Sequence, residues 1–179
     1  MALPLTNRRI EQVAYVVKDV RAAAAAWTEA LGVGPFHLME RPAIEDPIYR
    51  GAPGPVDFTV AVAPAGDVHV ELIEQHCERP SCYRDLPLRD GKRFHHVAVI
   101  VEDFDAEVAR YEALGFAVAM SGRFGPLRFC YVDVSSVTDG MVEILEDKPF
   151  IRNYFAAIRA SGENWDGSRP LRDVQELTG

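Results

Sequence analysis

Two stretches of this sequence repeat each other, and any fold of the chain must accommodate that duplication. The segment EQVAYVVKDV at residues 11–20 resembles HHVAVIVEDF at residues 95–104. The match runs without a gap, since Asp19 and Asp103 are separated by the same 84 residues (103 − 19) as the starts of the two segments (95 − 11). A repeat of this kind predicts one structural unit that occurs twice.

Each copy continues into a segment that favours a helix. Residues 21–32 read RAAAAAWTEALG and residues 105–116 read DAEVARYEALGF, and both are rich in residues of high helix propensity. Both reach a Leu-Gly pair, where glycine can adopt the left-handed conformation that closes a helix. Asp19 and Asp103 stand just before these segments, as helix-capping acceptors often do.

A second pair of matching segments shows where the two copies differ in length. VELIE begins at Val70 and VEILE begins at Val142, an offset of 72 residues (142 − 70). The first copy is therefore longer by 12 residues (84 − 72) between its helix and its last strand. The extra length falls in RPAIEDPIYRGAPGPV, residues 41–56, whose proline and glycine content predicts that it is not regular structure throughout.

These patterns predict an α+β fold of two tandem βαβββ modules. Strands are expected at residues 10–18, 36–43, 56–63, 67–75, 94–102, 117–122, 127–134 and 141–147. We divide the chain into a first module (8–76), a polar linker (77–92), a second module (93–148), and a C-terminal helix and tail (149–179). The last helix is expected near residues 150–160, with little regular structure beyond Gly162.

Strand alternation places four polar residues on one face of the predicted sheet. Side chains two residues apart share a face, so Gln12 and His96 lie opposite the branched residues that should pack under the helices. Glu71 and Glu143 occupy matching places in the last strand of each copy. A buried carboxylate is unfavourable without a partner, and a cation between the two halves would satisfy all four residues.

The duplicated unit, the start HHVAVIVED and the ends VELIE and VEILE resemble the vicinal oxygen chelate superfamily, which includes glyoxalase I, methylmalonyl-CoA epimerase, extradiol dioxygenases and bleomycin-resistance proteins. The resemblance covers roughly residues 8–147. It implies that the two modules form a curved, barrel-like mixed sheet with the helices outside. It also implies a metal held by Gln12, Glu71, His96 and Glu143, a set similar to that of the glyoxalase I branch. Many relatives have histidine at the position of Gln12. This residue therefore either keeps its amide oxygen as a ligand or marks a lineage that has lost the metal.

The donor set suits a divalent ion such as Mg²⁺, Mn²⁺, Co²⁺, Ni²⁺ or Zn²⁺. In the alternative interpretation, Gln12 and His96 only hydrogen-bond each other or backbone groups within a barrel core. Ring-cleaving dioxygenase chemistry is disfavoured, because non-haem Fe(II) sites use two histidines and one carboxylate. Only His96 falls at a ligand position here.

The function expected from this site is that of a divalent-metal-dependent isomerase, epimerase or lyase of the glyoxalase type. Such an enzyme chelates a small carbonyl substrate and removes a proton next to the carbonyl, which gives a metal-stabilised enolate. Glu143 is the leading candidate for the base, and Glu71 is a ligand and a second acid/base on the opposite face. The alternative is a metal-free, small-molecule binding protein of the bleomycin-resistance type.

Other residues carry weaker expectations. His69 is expected to be a hydrogen-bonded barrel histidine rather than a donor beside the metal, and His95 is expected to point to the helix side or to solvent. Cys77 and Cys82 are interpreted as loop residues rather than a zinc site. The remaining candidates are cationic groups for a glutathione or coenzyme A moiety at Arg41, Arg50, Arg123 and Arg128, and the packing face of the terminal helix at Phe150, Tyr154 and Phe155.

The amino-acid composition excludes several classes of binding partner. The chain has 19 Lys and Arg against 27 Asp and Glu, a net charge of −8, so a nucleic-acid partner is not expected. No apolar stretch is long enough to span a bilayer, and so no membrane partner is expected. Three cysteines are too few for a disulfide framework, which predicts a reducing, cytoplasmic location. The family resemblance implies a homodimer.

Overall fold

The duplicated sequence folds into two βαβββ units that share one mixed sheet, and the predicted α+β class is confirmed. The computed structural model describes residues 8–178. The first unit and its insertion comprise β1 (Gln12–Val17), α1 (Val20–Leu31), β2 (Phe36–Glu40), β3 (Glu45–Tyr49), β4 (Ala52–Pro53), β5 (Phe58–Ala65) and β6 (Val68–Gln75). A short 3-10 helix (Cys82–Arg84) leads to the second unit. That unit comprises β7 (Lys92–Val101), α2 (Phe104–Ala113), β8 (Ala117–Phe124), β9 (Leu127–Asp133), α3 (Ser135–Thr138) and β10 (Met141–Glu146). The chain ends with α4 (Pro149–Ser161), β11 (Leu171–Asp173) and a 3-10 helix (Val174–Thr178).

The sheet joins the two units through their first strands. Its order is β11-β2-β5-β6-β1-β7-β10-β9-β8-β3-β4. β1 pairs antiparallel with β7, whereas each of these strands pairs parallel with the last strand of its own unit, β6 and β10. The four strands that were expected to carry the site residues are therefore neighbours at the centre of the sheet.

The helices α1 and α2 of the two units begin where their capping aspartates predict, and α1 also ends at its predicted glycine. The side chain of Asp19 accepts hydrogen bonds from the backbone N–H groups of Arg21 and Ala22 at the start of α1. Asp103 accepts from Ala106 N–H in the same way at the start of α2. Gly32 closes α1 with a φ of 66°, a left-handed conformation that favours glycine.

The expected orientation of the strands is confirmed by how the core is divided. The outer face of the first unit packs with α1 in a cluster that includes Val13 and Val17, and that of the second packs with α2 in a cluster that includes Val97 and Val99. A third cluster, which contains Ala14 and other inward residues of both units, lies on the inner face. The inner face is concave, and we call its hollow the cup.

The inserted segment contains more regular structure than its proline and glycine content indicated. β3 and β4 form within residues 41–56, and β3 pairs with β8, the edge strand of the second unit. β2 lies toward the other end of the sheet, yet only residues 41–44 separate it from β3, a span of at most about 18 Å. The insertion therefore crosses the cup and forms one of its walls, although the strands described do not close into a barrel.

Two further segments also differ from expectation. The segment 77–92 is not only a polar connection, because its 3-10 helix inserts the buried side chains of Cys82 and Tyr83 into the inner cluster. The tail beyond Gly162 is more ordered than expected, since β11 pairs with β2. Trp165 packs so closely on Gly34 that a Cβ there would lie 2.5 Å from the indole ring. No helix in residues 8–178 is long and apolar enough to cross a membrane.

Candidate metal and substrate site

The central strands bring the four expected site residues around two alanines. Ala14 pairs with Glu71 on one side and with His96 on the other. Ala98 pairs in the same way with Gln12 and with Glu143. Directly paired residues point to the same face, so the four polar side chains rise from the floor of the cup around the space that the two fully buried alanines leave.

His96 is the centre of this group. Its side chain is fully buried, and its Nε2 lies 3.3 Å from Glu143 Oε2 and 3.5 Å from Glu71 Oε2. Among the described residues, Nε2 has no hydrogen-bond partner. Gln12 is also buried and lines the same cavity as the two glutamates.

A chain of hydrogen bonds fixes which nitrogen of His96 carries hydrogen. His95 Nε2 lies 3.1 Å from the carbonyl oxygen of Cys82, which can only accept, so this nitrogen donates. Burial, with the neighbouring His96 as the next cause, lowers the pKa of His95 to about 3, so the ring is neutral and its Nδ1 is an acceptor. His96 Nδ1 lies 2.8 Å from that acceptor and donates to it. With a hydrogen on Nδ1, His96 directs its other nitrogen, Nε2, toward the two glutamates.

The buried side chains of Glu71 and Glu143 have no positively charged Lys or Arg partner among the described residues. Burial raises the pKa of Glu71 well above its ordinary value, and the nearby charge of Glu143 raises it further. A proton on His96 Nε2 could stabilise the carboxylates through charge-assisted hydrogen bonds. Such bonds are normally about 2.7–2.9 Å long, however, which is shorter than the distances from Nε2 to the two Oε2 atoms. A cation placed between the imidazole and the carboxylates would satisfy all three groups.

The donor types fit a divalent ion, although the side chains do not form a ready-made cage. In the part of the chain that the structure describes, no group of three or more His, Cys, Asp or Glu side chains is arranged to hold a metal ion. Neighbouring ligands in an octahedral site with bonds of about 2.1 Å lie about 3 Å apart, and the separations around His96 are only a few tenths of an ångström longer. One imidazole, two carboxylates and one amide match the chemistry of such a site.

His95 differs from expectation, because it is buried on the inner side of β7 rather than facing helix or solvent. The register between β1 and β7 shifts here: Ala14 pairs with His96 but Tyr15 pairs with Phe94. His95 is the extra residue of a β-bulge, which turns its ring toward Tyr131. Strict alternation along the sequence could not reveal this turn.

His69 is a hydrogen-bonded residue of the sheet. Its two ring nitrogens lie 2.9 Å from the carbonyl oxygen of Glu11 and 3.1 Å from that of Phe155. The ring also stacks on Phe155 of α4 at a centroid distance of 4.4 Å. His69 thus fastens the terminal helix to the sheet.

Two buried tyrosines at the cup were not identified from the sequence. Tyr83 and Tyr131 line the cavity, and their hydroxyl oxygens lie 3.2 Å apart. Burial raises the pKa of both phenols well above the ordinary value, so both are proton donors. Tyr131 could have been found by alternation, since it pairs directly with Glu143 across β9 and β10. Tyr83 could not, because it comes from the connecting segment.

The four arginines considered as substrate anchors do not line the cavity. Arg41 pairs with Asp57, and Arg123 is exposed. Arg50 lies 2.7 Å from Asp85 and 2.9 Å from Asp133, and Arg128 lies 3.0 Å from both Asp105 and Glu146. The expectation that these residues contact an anionic substrate has no support in the geometry of the described residues.

Comparison with known proteins gives a clear family assignment. A family model described as the glyoxalase/bleomycin resistance protein/dioxygenase superfamily matches residues 11–131. Among curated protein sequences, none matches the chain.

Solved structures share the fold at low sequence identity. One is methylmalonyl-CoA epimerase from Mycobacterium tuberculosis, with a TM-score of 0.54 and 17% identity over 83% of this chain and 96% of that one. Another is a Streptomyces coelicolor methylmalonyl-CoA epimerase variant in complex with 2-nitronate-propionyl-CoA, with a TM-score of 0.55 and 17% identity over 79% of this chain and 96% of that one. The matched family model and the duplicated βαβββ architecture together establish that this chain belongs to the glyoxalase/bleomycin resistance/dioxygenase superfamily, the vicinal oxygen chelate proteins.

Proposed function

We propose that this protein is a divalent-metal-dependent isomerase, epimerase or lyase of the glyoxalase type, acting on a small carbonyl compound. The observation that carries the proposal is the Nε2 of His96, which is buried, has no hydrogen-bond partner among the described residues, and faces Glu143 and Glu71 at 3.3 and 3.5 Å. The superfamily supports this reading, because its members commonly use divalent metals. It also includes proteins without enzymatic activity, so the reaction must be tested directly.

The proposed ligands are Gln12, Glu71, His96 and Glu143. A divalent ion bound there, whether Zn²⁺, Ni²⁺, Co²⁺, Mn²⁺ or Mg²⁺, would supply Lewis-acid stabilisation for negative charge on the carbonyl oxygen of the substrate. Gln12 contributes its amide oxygen, which is also the donor type that suits hard divalent ions.

The chain's own groups move the proton. Glu143 takes it from the carbon next to the carbonyl, and Glu71 returns a proton from the other side. β6 and β10, which carry these residues, are separated by β1 and β7, so their backbones lie about 14 Å apart. The two carboxylates thus approach the centre of the cup from opposite sides, an arrangement that permits epimerisation or a 1,2-proton shift. The phenols of Tyr83 and Tyr131 offer hydrogen-bond donors beside them.

Replacement of the proposed base tests the reaction. Glu143→Gln keeps the size of the side chain and an oxygen donor but removes the base, so solvent deuterium exchange at the substrate carbon should fall by at least about 100-fold. NMR would measure the exchange, and elemental analysis would measure the metal content of the same sample. Glu146→Gln is the matched control on the same strand, since Glu146 pairs with Arg128 away from the cavity. Full exchange in Glu143→Gln with metal retained would show that the base is wrongly assigned.

A metal-free binding protein of the bleomycin-resistance type is the second candidate. The observation that favours it is that no ready-made metal cage exists within residues 8–178, although the cavity is well formed. This function predicts that ligand affinity is the same with and without a chelator. The enzyme hypothesis predicts that the chelator weakens binding of a carbonyl ligand.

We also propose that the protein is a homodimer, because proteins of this superfamily are often dimers. Light scattering of the purified chain should give a mass near twice the 19.9 kDa of one chain. A mass of a single chain at micromolar concentration would contradict it.

A further inference from the structure

The walls of the cup are apolar wherever they are not part of the site just described. The cavity measures about 120 Å³, and its inner wall is built from side chains such as Phe58, Phe129, Leu145, Ile151 and Phe155. Its polar groups are Gln12 and the two glutamates on the floor, together with three phenols. No lysine, arginine or histidine among the described residues lines it.

The mouth of the cavity is apolar as well. Met39, Pro42, Ile44 and Phe124 are half-buried lining residues, and Phe150 is 39% exposed. A mouth for a coenzyme A or glutathione moiety needs cations for phosphate or carboxylate groups. Of the four arginines considered above, Arg41, Arg50 and Arg128 are held by acidic partners. Arg123 is exposed beside Phe124, but it is not part of the cavity lining.

The roof restricts the size of an occupant. Tyr154 and Phe155 of α4 lie over the cavity, and His69 fastens this helix to the sheet. On the other side, Ile44 packs so closely on β8 that a Cβ at Gly122 would lie 2.6 Å from it. An apolar cavity of about 150 Å³ can accept a benzene-sized guest, so the inner space here suits one ring or branched chain, and any further part of an occupant must pass through the apolar mouth.

From this lining we infer the substrate class of the proposed enzyme, an inference that rests on the proposed function. The site takes a compact, uncharged carbonyl compound, such as an α-hydroxyketone with an aromatic or branched apolar group, and rejects anionic thioesters and glutathione adducts. The carbonyl and hydroxyl oxygen atoms of the substrate face the polar residues on the floor of the cup, and its apolar group packs against the apolar wall. The C–H bond next to the carbonyl breaks and its proton passes to Glu143. The C–H electron pair forms a C=C bond while the carbonyl π pair moves to its oxygen, which takes the proton of the neighbouring hydroxyl group. The oxygen of that hydroxyl group becomes the new carbonyl oxygen, and a proton returns to the carbon of the former carbonyl. The step is an isomerisation that needs no co-reactant.

Three probes separate neutral from anionic occupants. 2-Hydroxyacetophenone is the neutral probe, its para-carboxylate is the matched anionic probe, and propionyl-CoA is the thioester. Binding to the full chain would be measured by saturation-transfer NMR, independently of turnover. We expect saturable binding of the neutral probe, at least about tenfold weaker binding of its carboxylate, and no saturable binding of propionyl-CoA. Equal or tighter binding of propionyl-CoA would overturn the inference.

A charge placed at the mouth provides a second test. Phe150→Arg adds a cation at an exposed lining position and should reduce the preference for the neutral probe over its carboxylate several-fold. Val137→Arg is the matched control, because Val137 is 71% exposed and lies outside the cavity lining. An unchanged preference in Phe150→Arg would count against an uncharged mouth as the source of selectivity.

The outcomes also distinguish this inference from the proposed function. Deuterium exchange into propionyl-CoA would refute the substrate class and keep the enzyme. Tight binding of the neutral probe to a chain that holds no metal and catalyses no exchange would refute the enzyme and keep the substrate class.

Discussion

At the scale of single residues, the candidate site depends on how the ring of His96 is oriented and on which of its nitrogens carries a hydrogen. The bulge turns His95 inward, Cys82 fixes its hydrogen, and His95 in turn fixes that of His96. Such outer hydrogen bonds orient metal-binding histidines and raise their basicity. The adjacent pair of histidines therefore works as a unit, in which only the second faces the carboxylates.

Removal of His95 should weaken metal binding without abolishing the fold. In His95→Ala the Nδ1–H of His96 loses its acceptor, so its ring is free to rotate or change tautomer. We expect the metal affinity to fall about 10- to 100-fold, as measured by competition with a chelator. His76→Ala is the control, because His76 bonds Thr59 and lies outside the cavity lining. Unchanged affinity in His95→Ala would contradict the role of the relay.

At the scale of elements, α4 completes the cup. It begins at Pro149, a residue favoured in the first turn of a helix, and buries Ile151, Phe155 and Ile158. Its end is joined to β2, since His37 Nε2 lies 3.0 Å from Ser161 Oγ. The terminal helix is thus a roof held at both the middle and the end, and it covers one side of a cavity that the open sheet alone would leave uncovered.

The buried His37 makes stability depend on pH. Burial lowers its pKa below the 6.5 of an unfolded chain, so between these values the unfolded state binds a proton that the folded state does not. The contribution of this group to the free energy of unfolding therefore falls as the pH drops below about 6.5, by up to about 1.4 kcal/mol per pH unit. Denaturant unfolding at about pH 7.5 and pH 5 should show that the advantage of the wild type over His37→Asn shrinks at the lower pH. A constant difference would contradict this assignment.

At the scale of the whole molecule, the repeat made most of the fold predictable. Periodicity and capping identified the eight repeated strands, the two repeated helices α1 and α2, and the faces that carry Gln12 and His96, because these are local properties that occur twice. The path of β3 across the cup and the insertion of Tyr83 have no counterpart in the other copy. They depend on partners far away in sequence, and so alternation could not reveal them.

The same distinction applies to the site. Glu71 and Glu143 could be found because an acid in an apolar strand is conspicuous in both copies. The apolar mouth could not, because it is assembled from β2, the insertion, β8 and α4. Sequence reasoning therefore identified the four polar residues that the central strands bring together, but it could not show that Arg41, Arg50 and Arg128 pair with acidic residues outside the cavity lining.

The central claim is that the four inward polar residues hold a divalent cation, and elemental analysis tests it most directly. The chain would be purified without added metal and without a histidine tag, beside His96→Ala. We predict a stoichiometric divalent ion in the wild type, its loss in His96→Ala, and a lower unfolding temperature after chelation in the wild type alone, because a bound ion stabilises only the folded state. Wild-type protein that is reproducibly free of metal, with an unfolding temperature that a chelator does not change, would contradict the claim.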